Sequence, residues 1–263
     1  MPHVTVNGLS YFFREAGTGP QTVLLLHAFP LHSGMWEPQI LALQASCRVV
    51  ALDYPGMGRS AEPRVGMTLE SLADDVVAFL SARGVEQAAV VGLSMGGYLA
   101  MALLRRAPRV VTRLVLADTR ETADPPEGVA NRERFAQRVL EEGAGWVADE
   151  MVPKLLTADR RPSVEKRVRE LVARATPAGM AACQRAMAAR PDSGDVLRSA
   201  TCPVLVVVGQ EDALTPPADA RRMFSLLKGA RLAEIPEAAH LANLENVTEF
   251  NRVLVDFLGP SHG

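Results

Sequence analysis

Five short apolar runs punctuate the chain: "QTVLLLHAF", "CRVVALDYPG", "QAAVVGLS", "RLVLADT" and "CPVLVVVGQED". Runs this short, rich in Val and Leu and bounded by turn residues, fit parallel strands buried on both faces. Ahead of them, "VTVNGLSYFFREAG" alternates around Asn7-Gly8, the pattern of a β-hairpin. Between the runs the period changes. "TLESLADDVVAFLSARG" places Leu69, Leu72, Val76, Phe79 and Leu80 on one helical face, with Gly84 as the stop. "YLAMALLRRAP" predicts a helix from Tyr98 that ends before Pro108, and "PADARRMFSLLKG" and "NVTEFNRVLVDFLG" predict two more. Strands alternating with helices predict a parallel α/β sheet with right-handed crossovers.

The alternation stops between about Arg120 and Val196. "NRERFAQRVLEEGAGWVADEMVPKLL", "SVEKRVRELVARA" and "PAGMAACQRAMAARP" read as helices, and prolines at 125, 126, 153, 162, 177 and 191 mark their limits. The expected organisation is a core of residues 1–119 and 196–263 interrupted by a helical insertion over 120–195. The insertion carries charges of both signs, which fits a solvated outer surface.

Composition narrows the function classes. The 263 residues are 48% hydrophobic and 22% charged, with a formal net charge of −2. Nothing electrostatic favours a nucleic-acid or acidic-lipid partner. No apolar run approaches the roughly 18 residues needed to span a bilayer, and "MPHVTVNGLSYFF" does not read as a signal peptide. Cys47, Cys183 and Cys202 are odd in number and widely spaced, so they are expected as reduced thiols in a cytoplasmic protein, not as a disulfide framework or a zinc site.

Candidate chemistry begins at "VVGLSMGGYLA". Gly92-Leu93-Ser94-Met95-Gly96 must turn the chain sharply from a buried strand into a helix. A serine at the tip of such a turn sits in strained backbone geometry, and side chains two positions to either side would collide, so glycine is required there. The hydroxyl is lifted above the carboxyl ends of the strands, where parallel sheets place their crevices, and the helix start directs free N–H groups to the same place. Ser94 is therefore the candidate nucleophile, and it needs a base. His3 and His262 lie near the termini, and His27 and His32 flank the loop after "TVLLL". His240, in "RLAEIPEAAHLANLENVTEF", follows a final strand at the edge that holds Ser94, and is the candidate base. Asp212, in "VVVGQEDALTPP", is favoured to orient the imidazole, with Asp118 of "LVLADT" as the rival. The oxyanion donors are expected to be the N–H groups of Phe29, in "HAFPLHSGMW", and Met95.

Taken together, "LLLHAFPLHSGMW", "VVALDYPGMGRS", "VVGLSMGGYLA", "VVVGQEDALTPP" and "EAAHLANLENVTEFNRVLVDFL" resemble the α/β-hydrolase family over nearly the whole chain. The resemblance implies an α/β fold with a mostly parallel twisted sheet flanked by helices and a helical cap inserted after the sixth strand. Within the family the chain is similar to small esterases and to 3-oxoadipate enol-lactonase-like proteins. Many relatives carry glycine where Ala28 stands, and an ordinary backbone conformation is expected at Ala28. Gly56 and Gly58 are expected to make the tight turn of "DYPGMGRS", with Asp53 and Arg59 structural. A serine rather than an aspartate in the elbow disfavours haloalkane dehalogenase and epoxide hydrolase chemistry.

The implied activity is hydrolysis of small carboxylic esters through an acyl-enzyme, with no metal or organic cofactor. The implied partner is a small-molecule ester or lactone. Alternatives are a lactonase of the 3-oxoadipate enol-lactonase type, a cofactor-free perhydrolase or C–C bond hydrolase, and a non-catalytic binding protein on the same fold. Phe29, Trp36, Met95 and Leu214 are expected to line the pocket from the core, and Trp146, Met151, Leu155, Met180, Cys183 and Met187 from the insertion. Such an apolar, methionine-rich lining suits an uncharged acyl group. A carboxylated lactone would instead need a cation, for which Arg120 and Arg185 are the candidates.

Overall fold

Asn7 and Gly8 both take positive φ, 48° and 81°, and fold β1 (His3–Val6) antiparallel onto β2 (Leu9–Ala16). Paired positive φ suits the right-handed twist of a two-residue hairpin. In this computed structural model, which describes residues 2–259, the apolar runs become β3 (Gln21–Leu26), β4 (Cys47–Leu52), β5 (Ala88–Leu93), β6 (Val111–Ala117) and β7 (Val204–Gly209). β8 (Arg231–Ile235) completes a sheet in the order β1-β2-β4-β3-β5-β6-β7-β8. β2 pairs antiparallel with β4, and every pairing from β4 through β8 is parallel. Every residue of β5 and β7 is buried, as continuous Val- and Leu-rich strands covered on both faces must be.

Helices fill the crossovers. α1 (Glu37–Leu43) joins β3 to β4, α2 (Leu69–Ala82) joins β4 to β5, and α3 (Met95–Arg106) joins β5 to β6. α2 starts at a reciprocal cap in which Thr68 and Ser71 each accept the other's backbone N–H, and it buries Leu69, Leu72, Val76, Phe79 and Leu80 together. α3 begins at Met95, earlier than its pattern suggests. Gly96 and Gly97 weaken the helical signal but are kept by close contacts described below.

Between β6 and β7 lie α4 (Pro126–Glu142), α5 (Val147–Leu155), α6 (Arg161–Val172), α7 (Pro177–Ala188) and α8 (Gly194–Arg198), with no strand among the described residues. α9 (Pro217–Leu226), the short α10 (Ala242–Glu245) and α11 (Val247–Leu258) complete the chain. The inserted helices are tied to the sheet at defined points. The Thr176 N–H donates to the Gly56 carbonyl at 2.8 Å, and the Leu241 N–H to the Leu155 carbonyl at 3.2 Å. Backbone meets backbone where α7 crosses the loop after β4, because a Cβ on Gly179 would lie 2.4 Å from the Gly56 oxygen.

That contact makes a prediction. Gly179→Ala must separate two backbones, so it should lower stability by about 1–3 kcal/mol. Gly145→Ala, where a Cβ meets nothing within 4 Å, should be neutral or slightly stabilising. Urea unfolding of the two variants measures the difference, and equal stabilities would refute the close packing.

Candidate active site

The strand order reverses beside β3, with β4 on one side and β5 on the other. A crevice opens at the carboxyl ends of strands where such a reversal occurs. Leu26 of β3 lies in register with Gly92 of β5, so the loops after these strands leave the sheet side by side. One carries Phe29 and the other Ser94.

Ser94 adopts φ 56° and ψ −116°, a region that costs a side chain of order 1–3 kcal/mol. Its N–H is held by the Ala117 carbonyl at 2.9 Å. The flanking glycines are forced by packing: a Cβ at Gly92 would stand 2.2 Å from the Gly96 oxygen, and one at Gly96 would stand 2.1 Å from the Leu26 oxygen. Both are backbone neighbours that have no room to give.

The three sequence-predicted side chains meet. Ser94 Oγ lies 2.8 Å from His240 Nε2, and His240 Nδ1 lies 2.9 Å from Asp212 Oδ2. With Nδ1–H donating to the carboxylate, Nε2 is the ring atom free to accept the serine hydroxyl. Asp212 also accepts the N–H groups of Leu214 and Thr215 and the Thr215 hydroxyl at 2.6 Å. Burial alone would raise its pKa. The facing His240 and the Thr215 hydrogen bonds outweigh burial and hold the carboxyl below its ordinary value.

Asp118, the rival acid, has no hydrogen bond to His240 and ties β6 to β7 by accepting the Gly209 N–H at 2.7 Å. Complete burial, reinforced by the nearby charge of Asp212, raises its pKa well above the carboxylate range.

Ala28 is absent from the residues with positive φ, so its backbone is ordinary, as expected. The loop is braced by His27, which the sequence reading left without a role. His27 Nδ1–H donates to the Ala28 carbonyl at 2.9 Å, Nε2 accepts the Tyr54 N–H at 3.1 Å, and the two rings stack with centroids 3.7 Å apart. Burial pushes the His27 pKa down to about 3. Asp53 is structural in the way expected, accepting the N–H groups of Ser33 and Arg59. Among the described residues no protein acceptor takes the N–H of Phe29 or of Met95. Glu245, also missed, accepts the N–H of Thr157 from the insertion at 2.6 Å and that of Ala239, beside His240, at 2.7 Å.

A cavity of about 250 Å³ opens over Ser94 and His240. Phe29, Leu214, Met151, Leu155 and Met187 line it, as predicted. Trp36, Met180 and Cys183 do not: they are fully buried in the continuous hydrophobic core, with Trp36 packed on Phe250. Met95 is not among the lining residues either, and its side chain is fully buried in the core. Trp146 is turned away as well, its ring against Phe135 at 4.8 Å and under the Arg138 guanidinium at 3.9 Å. The predicted apolar lining is corrected on another count. Tyr98, Arg120, Arg132, Lys154, Gln184 and Thr215 also face the cavity. Arg185 does not, and is paired with Glu133. Thr215, next to Asp212 in "EDALTPP", and Tyr98, one turn after Ser94, were within reach of sequence reasoning. Among the described residues no group of three or more His, Cys, Asp or Glu side chains is arranged to hold a metal, and no helix is long and apolar enough to cross a membrane.

A sequence profile described as the alpha/beta hydrolase family matches residues 23–253. The chain belongs to that family. Three proteins similar to this α/β-hydrolase illustrate its relatives. A thermophilic esterase from Thermogutta terrifontis is 36% identical with a TM-score of 0.93, covering 98% of this chain and 96% of its own. The enol-lactonase from Burkholderia xenovorans is 30% identical with a TM-score of 0.91, covering 98% of this chain and all of its own. The dihydrolipoyllysine-residue acetyltransferase component of an acetoin cleaving system from Cupriavidus necator is 31% identical over 97% of this chain and 68% of its own length.

The buried histidine of this hydrolase gives a second prediction. His27 is neutral when folded and titrates at its ordinary 6.5 when unfolded. Its folded pKa is depressed, so below pH 6.5 the unfolded state binds the extra proton. The stability linked to His27 is then lost as pH falls from 6.5 toward 3, by up to about 1.4 kcal/mol per pH unit. The destabilisation caused by His27→Gln should therefore shrink as pH falls from 7 to 5. Comparing the two proteins by urea unfolding cancels the other titrating groups, and a pH-independent difference would contradict a neutral His27.

Proposed function

We propose that this protein is a serine hydrolase of small carboxylic esters. The observation that carries the reading is the continuous chain from Ser94 Oγ through His240 to Asp212, with separations of 2.8 and 2.9 Å, opening into a cavity. His240 Nε2 takes the Ser94 proton as Oγ attacks the ester carbonyl. The resulting oxyanion is received by the N–H groups of Phe29 and Met95, the second of them at the start of α3, where the helix dipole favours negative charge. His240 then protonates the leaving alcohol. In the second half-reaction it takes a proton from water, which attacks the acyl-enzyme and releases the acid. Asp212 fixes the ring tautomer and stabilises the transient imidazolium. The segment 120–195 serves as a cap, since α4, α5 and α7 supply much of the cavity wall.

Lactone hydrolysis is the second reading, favoured by the likeness to the Burkholderia enol-lactonase. It uses the same steps, with the leaving alcohol still tethered to the acyl group.

Replacement of the proposed nucleophile tests the reading. Ser94→Ala should cost at least about 10³-fold in kcat on short aliphatic and aryl esters, with the fold retained by circular dichroism. Asp212→Asn should lower kcat by about 10³–10⁴-fold. Asp118→Asn should keep most of the activity, because Asp118 makes no hydrogen bond to His240 and an amide oxygen can still accept the Gly209 N–H. Undiminished turnover in Ser94→Ala would mean a different nucleophile or another chemistry, and no ester turnover by the wild-type protein would leave a binding protein.

A further inference from the structure

The cavity over Ser94 is lined by three cations, Arg120, Arg132 and Lys154, and by no aspartate or glutamate. That bias is opposite to the chain as a whole, whose formal net charge is −2. Structural ion pairing accounts for only part of it. Arg120 and Arg222 share Asp219, and Arg222 also holds Glu121, so that group is balanced. Arg132 shares the single carboxylate of Asp124 with Arg190, which leaves one positive charge in excess. Lys154 has no ion-pair or hydrogen-bond partner among the described residues and stands exposed at the cavity wall on α5.

Donors remain open as well as charge. Arg132 spends Nε on Asp124 and Nη1 on Gln184 Oε1 at 2.9 Å, while its Nη2 has no protein acceptor among the described residues. The rest of the lining includes the apolar side chains of Phe29, Met151, Leu155 and Leu214. A cleft with cationic donors on an apolar background concentrates anions and holds them with less competition from water.

We propose that this site selects substrates that carry a carboxylate in addition to the scissile carbonyl, and that Lys154 and Arg132 are the residues that read it. The inference rests on the ester-hydrolase reading above and adds the substrate class. The carboxylate sits against the Lys154 ammonium and the free Nη2 of Arg132, and the ester carbonyl is presented to Ser94. A volume of about 250 Å³ limits the acyl part to a short chain.

Two matched substrates test this. Ethyl butyrate and monoethyl succinate differ by a terminal methyl against a carboxylate, and acid release from each is followed in a pH-stat. The succinate monoester should be favoured at least about tenfold in kcat/KM, with the preference falling as salt is raised. Lys154→Gln should lower the ratio of the two kcat/KM values about fivefold, mainly through KM. Lys228→Gln, which removes an exposed charge in the turn after α9, should leave the ratio where it was. Equal or better turnover of ethyl butyrate, or a ratio that Lys154→Gln does not move, overturns the proposal while leaving ester hydrolysis intact. Absence of Ser94-dependent turnover on both esters would instead sink the hydrolase reading. In that case, calorimetry of succinate with the wild-type protein and Lys154→Gln decides: binding weakened about fivefold by the substitution supports the anion site, and no binding removes it.

Discussion

The chain has to pass from β5 into α3 at a single residue, and Ser94 absorbs that turn. Its backbone is held at φ 56° by neighbours that cannot move: the Ala117 carbonyl fixes its N–H, and Gly92 and Gly96 lie against backbone oxygens. Strain of order 1–3 kcal/mol survives only where the surroundings over-determine it. Here the surroundings are the fully buried strand beneath and the largely buried helix behind. The same constraint produces two features of the site together. It raises Oγ above the strand ends, and it leaves the Met95 N–H at a helix start with no protein acceptor.

The remaining parts are loops, and each is pinned by buried polar groups. His27 and Tyr54 lock the loop that carries Phe29, and Asp53 locks the turn beyond it. Glu245 joins Ala239 to Thr157, so the position of the His240 loop is tied to the inserted helices. Movement of that insertion would be felt at the imidazole through this carboxylate and through the Leu241 N–H bonded to the Leu155 carbonyl.

The sheet was legible because parallel strands buried on both faces leave nearly unbroken apolar runs. The positions of Ser94 and Asp212 were legible because each follows such a run, and runs of parallel strands end on one edge; His240 follows the shorter, partly exposed β8 and was legible from its place before the last helix. The cavity wall was not. Helical periodicity tells which face of α7 is apolar, but not whether that face meets core or crevice. Met180 and Cys183 went to the core while Met187 and Gln184 reached the cavity. Trp36 misled for the same reason, since a large apolar side chain near a site is still a good core residue. Of the cations, Arg120 was a candidate and reached the cavity, whereas Arg132 and Lys154 were hidden by their own ordinariness. Arginines on amphipathic helices usually face solvent, and it is the packing of α4 against α7, with Arg132 bonded to Gln184 and Asp124, that brings Arg132 to the cavity.

The two buried aspartates show why position along the sheet edge was insufficient to separate them. Asp118 and Asp212 follow adjacent strands, and both are nearly inaccessible to water. Two carboxylates this close in a poorly hydrated region do not both ionise without strong compensation. Hydrogen bonding decides between them. Asp212 receives two N–H groups, a hydroxyl and the imidazole Nδ1–H, all of which favour the charged form. Asp118 is supported by the Gly209 and Ala242 backbone, which do not offset its burial, and the charge on Asp212 discourages ionisation further. Burial and the neighbouring charge thus disfavour ionisation of Asp118, while hydrogen bonds and the imidazole favour it at Asp212. An imidazolium formed at His240 then faces a single negative charge whose place is set by Thr215 and the turn that carries it.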